Sequence, residues 1–350
     1  MRLRIAEHIR THGPMPFDEY MEWCLYDPDD GFFSAGPVRS SKKGDFVTSP
    51  EISWAFGLCV GEWVDDNVPT SHAALVEVGS GSGMLLREII APWSDANDPV
   101  FAVERSVESR AFLSGRFPNA TVVETFDEVP AGIDAVIVAN EVLDNMPAAL
   151  AKRTGDGWAE IAVGLDGEGL VLVELPARDD VNEWCDGMFP VAEPGTTVSA
   201  QIGIARWIDG VFDHFGRVSM CLIDYGGKSD ELITRNPASI VRTYRRHQSG
   251  IDWLQHPGET DITVDVNIDG VLAAIARAGH RARLMSQRDF CLEYGIDELI
   301  ADAADLEHVA ARAGDIMSQL QNRSERLDME AVIDPHGLGA FKVILVEPGS

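Results

Sequence analysis

Two periodicities divide this chain. From residue 74, short runs that are apolar at nearly every position recur at residues 74–79, 100–104, 120–124 and 135–140, and helically spaced stretches separate the first three. Strands without alternation predict a parallel sheet covered on both faces, a βαβαβ arrangement. Before residue 70 the pattern is helical in "RIAEHIRTH" and "FDEYMEWCLY" and breaks in the loop "SAGPVRSSKKGDF". Three- and four-residue spacing in "PEISWAFGLCVGEWVDD" predicts one helix from Pro50, opened by Thr48 and Ser49. Beyond residue 150, "RTGDGWAEIAVGLDGEGLVLVELP" predicts short β segments over 151–176. A helix over 199–215, a strand over 218–225, a helix over 269–278 and a strand over 281–285 follow. Helices then run to about residue 328, and a last strand covers 340–347. The expected fold is α/β: a Rossmann-like, mostly parallel sheet with a helical N-terminal cap over residues 1–70 and an insertion between strands 4 and 5.

Composition narrows the classes. A chain of 350 residues at 45% hydrophobic can bury a sizeable core. No stretch reaches the roughly 18 uninterrupted apolar residues of a membrane helix. The N-terminal segment carries Glu7, Asp18 and Glu19 and lacks an apolar signal core, so a cytoplasmic location is expected. Five scattered cysteines without a CxxC pair argue against a disulfide framework or zinc site. A net charge of −29 repels nucleic acid and anionic membrane, leaving neither as an expected partner, and attracts basic segments.

The stretch "LVEVGSGSGML" places Gly79, Gly81 and Gly83 between a strand and a helix. Such a turn lets backbone approach a ligand closely and offers helix N–H donors. Its GxGxG spacing departs from the GxGxxG of dinucleotide sites. Glu77, inside the strand, is placed to accept from a cationic amino group or to fix the loop. Glu104, ending the second strand, is placed for a ribose diol. A packing turn with no ligand is the competing reading at this point. "DVNIDG" opens like a calcium loop, but its twelfth position is Ala276, and Ile262, Val264, Val266 and Ile268 alternate as a half-buried strand would. No metal is expected. "RTYRRHQ" is a basic island that predicts a solvated face or an internal partner for acids.

Together, Glu77, the glycine turn and Glu104 resemble the first motifs of class I S-adenosylmethionine-dependent methyltransferases. "GDFVTSPEIS" (44–53), "NEVLDNMPA" (140–148), "IDYGG" (223–227), "PGETDITVDVNIDGVL" (257–272), "SQRDFCLEYGI" (286–296) and "GLGAFKVILVE" (337–347) narrow this further. In that order they resemble the MidA-like methyltransferases, the family that includes a mitochondrial complex I assembly factor methylating a protein arginine. The resemblance implies S-adenosyl-L-methionine as cofactor. It implies that Gly79, Gly81 and Gly83 line its methionine end, Glu104 its ribose, and Thr125 and Phe126 its adenine. It further implies that Thr48 and Ser49 close over the site, and that Asn140 and Glu141 sit beside the transferable methyl group. The methyltransferase domain would cover 71–350, with 148–215 and 228–268 on the acceptor side. Where relatives follow NExxDxxP with an apolar residue and a histidine, this chain reads "PAALAKRT".

A guanidinium is a poor nucleophile, with a pKa of about 12.5–13.8, and needs a carboxylate to orient it and take its proton. Glu141 sits just past a strand end, and Asp144, one helical turn on, could share its side of the chain as a guanidinium clamp. Asp45 and Glu51 are further acids on the acceptor side. The expected activity is methyl transfer to an arginine nitrogen of a partner protein bearing a basic segment. The alternatives are a small-molecule methyltransferase and a cofactor-binding assembly chaperone without essential catalysis, with a nicotinamide oxidoreductase more distant.

Overall fold

A computed structural model describes residues 1–34, 48–93, 98–245 and 248–348. Seven strands form the central sheet: β1 (Ala74–Val78), β2 (Val100–Val103), β3 (Ala120–Val123), β4 (Ala135–Asn140), β5 (Val218–Asp224), β6 (Ala282–Ser286) and β7 (Lys342–Val346). Their order is β6-β7-β5-β4-β1-β2-β3. The pairs from β5 through β3 are parallel, and β7 runs antiparallel to both β5 and β6.

The unbroken apolar runs follow from the two faces. Leu75, Ala102, Val136, Val138, Cys221 and Ile223 point into one core, with Trp63 and Val64 of the Trp54–Asp66 helix, Leu86 and Phe290. Their neighbours Ala74, Val76, Phe101, Ile137, Ala139 and Leu222 point into the other, with Ile204 and Ile208 of the Ile202–His214 helix and Val271 and Ile275 of the Ile268–Arg277 helix. Side chains alternate across a strand, so a sheet covered twice needs apolar residues at every position.

Between β4 and β5 the chain builds a second, mainly antiparallel sheet from Ala149–Arg153, Trp158–Asp166, Gly169–Pro176 and Thr197–Ala200. A two-residue strand, Met15–Pro16, joins it beside Ala162 and Val163, an element that the helical pattern of the N-terminal segment does not announce. Phe17, Tyr20, Met21 and Leu25 of the Phe17–Tyr26 helix pack with Leu150, Val163, Ile262 and Val264, tying the first residues to this sheet.

Three expectations are corrected. The helix expected from Pro50 is two helices, Ser49–Ile52 and Trp54–Asp66, separated at Ser53, whose backbone is extended (φ −140°, ψ 130°). Polar chemistry produces the break: Thr48 and Glu51 form a capping box on the first helix, and the Ser53 hydroxyl accepts the Ala55 N–H at 3.3 Å to start the second. The helix expected from residue 199 starts at Ile202, because Thr197–Ala200 is a strand paired with residues 149–152. Ile262 to Ile268 is not one half-buried strand: Asp261–Val264 and Val266–Asn267 are separate short strands, every residue from 261 to 268 is buried, and Ile268 begins a helix.

Val266 and Asn267 pair in parallel with Gly226 and Gly227 of the IDYGG stretch. A Cβ on Gly226 would fall on the Val266 carbonyl. Gly226→Ala is therefore expected to destabilise the protein by about 1–3 kcal/mol through forced separation of these backbones. Urea unfolding measures it, and an unchanged midpoint would refute this account.

Candidate active site

A cavity of about 440 Å³ opens at the C-terminal ends of β1, β2 and β4, where open parallel sheets bind ligands, and its size falls within the ~300–1,000 Å³ usual for small-molecule sites. Glu77, Gly79, Gly81, Glu104, Thr125 and Phe126 line it, as do Thr48, Asn140 and Glu141. Ser49, Glu51, Gly83 and Asp144 are not on its wall. Asp45 lies outside the described residues.

The glycine turn is shaped by backbone demands. Gly79, Gly81 and Gly83 all have left-handed φ, +72°, +47° and +69°, which side chains adopt at a cost. A Cβ on Gly79 would meet Val142 at 2.6 Å, and one on Gly83 would meet Phe117 at 2.5 Å, so Gly83 lets the start of the Met84–Trp93 helix approach Phe117. The Gly81 N–H is engaged by Glu104 Oε2 at 2.9 Å. Glu104 Oε1 accepts the Ser106 N–H at 2.8 Å, so this acid stitches the first two strand ends together while facing the cavity. Glu77 is 3% exposed, and its Oε2 has no hydrogen-bond partner. Burial, with Glu104 nearby, pushes its pKa up to about 8. An orphaned, buried carboxyl oxygen on a cavity wall fits a ligand that brings a cationic donor.

Glu141 is the one non-glycine residue with positive φ (53°) among the described residues. A bulky side chain held in that region stores strain, a recurrent feature of functional sites. Its backbone N–H donates to the Ile223 carbonyl at 2.8 Å, continuing the β4–β5 ladder by one step and fixing the turn. Its Oε1 accepts from Asn140 Nδ2 at 3.2 Å and from the Ser49 N–H at 3.4 Å. Burial, then the neighbouring Asp144, pushes its pKa up to about 8.

The other nominated acids stand behind the wall. Asp144 lies in the 3₁₀ turn Leu143–Asn145 and is 3% exposed, and burial raises its pKa to about 6. It borders Glu141 electrostatically but is not on the cavity wall with it. Glu51 Oε2 accepts the Thr48 N–H at 3.1 Å, and its Oε1 accepts from the Ser82 hydroxyl at 3.1 Å, so it joins the N-terminal helix to the glycine turn. Ser49 is buried and bonds through its hydroxyl with Gln287 as well as through its N–H with Glu141.

Residues that sequence reasoning passed over complete the wall. The Tyr26 hydroxyl donates to the Asn145 carbonyl at 3.1 Å. The Arg105 guanidinium sits 3.8 Å over the Tyr26 ring and pairs with Glu22 at 2.6 Å, bridging the N-terminal segment to the end of β2. Phe33, Asp127, Asn145 and Trp207 also face the cavity. The only signal for Arg105 was its position after Glu104; Tyr26 had none. The basic island finds internal acids: Arg242 pairs with Asp265 at 2.7 Å, and Arg245 pairs with Glu259.

Among the described residues no His, Cys, Asp and Glu group suits a metal ion, and no helix is long and apolar enough to cross a membrane. Residues 57–285 match the profile of a family described as S-adenosyl-L-methionine-dependent methyltransferases. A crystal structure of a COG1565 superfamily member from Burkholderia thailandensis, bound to S-adenosyl-homocysteine, superposes with a TM-score of 0.84 at 25% identity, covering 99% of this chain and 91% of that one. The mitochondrial protein arginine methyltransferase NDUFAF7 homolog of Caenorhabditis elegans is 28% identical over 84% of this chain and 76% of its own length. Its counterpart from Rattus norvegicus is 26% identical over 94% of this chain and 83% of its own. The cytoplasmic location expected from the sequence is corrected by these relatives, which are named as mitochondrial. The family match covers well over half of the chain, and the cavity sits where its glycine and acidic motifs converge: the chain belongs to this family of S-adenosyl-L-methionine-dependent methyltransferases.

Proposed function

We propose that the chain transfers a methyl group to a guanidino nitrogen of an arginine in a partner protein that presents a basic segment. The observation that carries this reading is Glu141, a half-buried carboxyl group in a strained backbone conformation on the wall of the cavity. The relatives named as protein arginine methyltransferases support it, and the net charge of −29 favours a basic partner.

In this reading Glu77 receives the amino group of the cofactor, Gly79 and Gly81 give it room, Glu104 holds the ribose, and Thr125 and Phe126 flank the adenine. The bound cofactor supplies an electrophilic methyl group. Thr48 and Asn140 border the reacting end, and the Ser49 N–H and Asn140 amide aim the Glu141 carboxyl group. Gly83 and Glu51 act through the packing of the turn, and Asp45 is assigned no role. Glu141, its pKa raised to about 8, is largely protonated near neutrality. A guanidinium laid against it favours the carboxylate, so acceptor binding expels that proton and leaves a base in contact with the nucleophilic nitrogen. Positioning donor and acceptor is the main remaining demand of an in-line displacement.

The test uses S-adenosylmethionine with a heavy-isotope methyl group, the purified protein, and a lysate of its host lacking the gene. Mass spectrometry is expected to find label on one or a few protein arginines. Glu141→Gln should cut labelling by about 10²–10⁴-fold while S-adenosylhomocysteine affinity changes little. Label on small molecules alone would defeat the protein-arginine reading. The Glu77 carboxyl group gives a second expectation. The ligand ammonium selects its ionised form, so affinity for S-adenosylhomocysteine should tighten as pH rises from about 6 to 7.5, by up to about tenfold per pH unit. Glu77→Gln should bind more weakly and lose this slope in calorimetric titrations.

A further inference from the structure

The IDYGG stretch places a second buried acid behind the site. Asp224 ends β5 and is 2% exposed. It does not reach the cavity. Its Oδ2 accepts the N–H groups of Leu143 and Asp144 at 2.9 and 3.2 Å, and its Oδ1 accepts the Tyr225 N–H at 2.8 Å. The Leu143 and Asp144 N–H groups belong to the turn that begins two residues after Glu141. Because β4 and β5 pair with Asn140 opposite Ile223, Glu141 and Asp224 emerge side by side from adjacent strands. We infer that Asp224 is a positioning residue for methyl transfer: it fastens the 143–145 turn to the end of β5 and thereby holds Glu141 in its left-handed conformation with its carboxyl group on the cavity wall. This rests on the reading of Glu141 given above.

An uncharged acceptor would satisfy backbone N–H groups, so the use of a carboxyl group is informative. The groups facing it are Asp144 and Glu141, with Tyr225 and Arg242 turned toward Asp144 and Glu51 toward Glu141. The Arg242 guanidinium is engaged elsewhere, 4.8 Å over the Tyr225 ring and paired with Asp265. Three carboxyl groups thus share a desolvated region, and Arg242, a cation near it among the described residues, is held by another acid. Burial raises the pKa of all three, and repulsion from a neighbouring carboxyl group adds to it at Glu141 and Asp224. Each carboxyl group ionises at its ordinary value, about 4, in the unfolded chain but resists ionisation in the fold. Their stabilising protons are present below that value and are lost as pH rises toward 8, so stability falls over this window.

The experiment compares wild type, Asp224→Asn and Asp224→Ala as full chains. Thermal midpoints are recorded from pH 5 to 9, S-adenosylhomocysteine affinity is titrated, and methyl transfer into lysate proteins is followed with labelled S-adenosylmethionine. The wild-type midpoint should fall with pH. Asp224→Asn keeps an acceptor oxygen for the turn, so it should fold, bind S-adenosylhomocysteine within about twofold of wild type, show a shallower pH loss, and retain most methyl transfer. Asp224→Ala frees the turn, so it should lose stability at every pH and transfer methyl about 100-fold more slowly while keeping S-adenosylhomocysteine affinity within about twofold. An Ala variant with wild-type transfer, an Asn variant as slow as Ala or with the wild-type pH slope, or an affinity reduced in step with rate, overturns the inference. If the wild type labels no protein, the acceptor reading fails, and the slope and affinity still decide the role of Asp224.

Discussion

A carboxyl group withdrawn from water must find a cation, a set of N–H donors, or a proton, and that requirement organises this molecule around its cavity. Each acid at the cavity or behind it meets the requirement differently. Glu104 takes two backbone N–H groups, and Asp224 takes three. Glu141 has an amide and one N–H, and Glu77 keeps an oxygen with no partner. The better an acid is satisfied from within, the more it serves as scaffold. The worse it is satisfied, the more it asks of a ligand. Glu104, stitched to the backbone yet facing the cavity, stands between the two roles.

The sheet makes the gradient available. Parallel strands bring every loop that follows them to one edge, and the ladder between β4 and β5 continues into Glu141 through the Ile223 carbonyl. The N-terminal segment closes the other side. Ser49 reaches both Glu141 and Gln287, Glu51 reaches Ser82, and Tyr26 with Arg105 ties the Phe17–Tyr26 helix to the strand ends. The cavity is therefore a joint product of segments far apart in sequence, joined by polar bonds.

Much of the fold was legible in the sequence because it follows from local rules. The strands of the central sheet declare themselves through unbroken apolar runs, and the glycine turn declares itself through positions that only positive φ explains. Harder to read was anything decided by contacts between distant residues. Ser53 breaks an otherwise continuous helical pattern through its own hydroxyl, a competition that periodicity does not register. Gly83 reads as a ligand glycine in the sequence, which gives no sign that Phe117 packs closely against it. Asp144 looked like a partner for Glu141 in a clamp, yet the turn that carries it faces Asp224, 80 residues away in the chain. The pairing of Arg105 with Tyr26 and Glu22 left no trace in spacing at all.

The position of β7 has a consequence for how the molecule is made. Lys342–Val346 lies between β5 and β6 and is the one strand that β6 pairs with in the described sheet. As the chain leaves the ribosome, β1 to β5 emerge long before the segment that must cover the flank of β5. Synthesis at about 5–20 residues per second leaves that flank, buried at every position in the finished protein, without its neighbour for several seconds. The final strand is thus a lock inserted last. A chain lacking Lys342–Val346 would keep most of its cofactor-facing motifs and expose an open, aggregation-prone sheet edge.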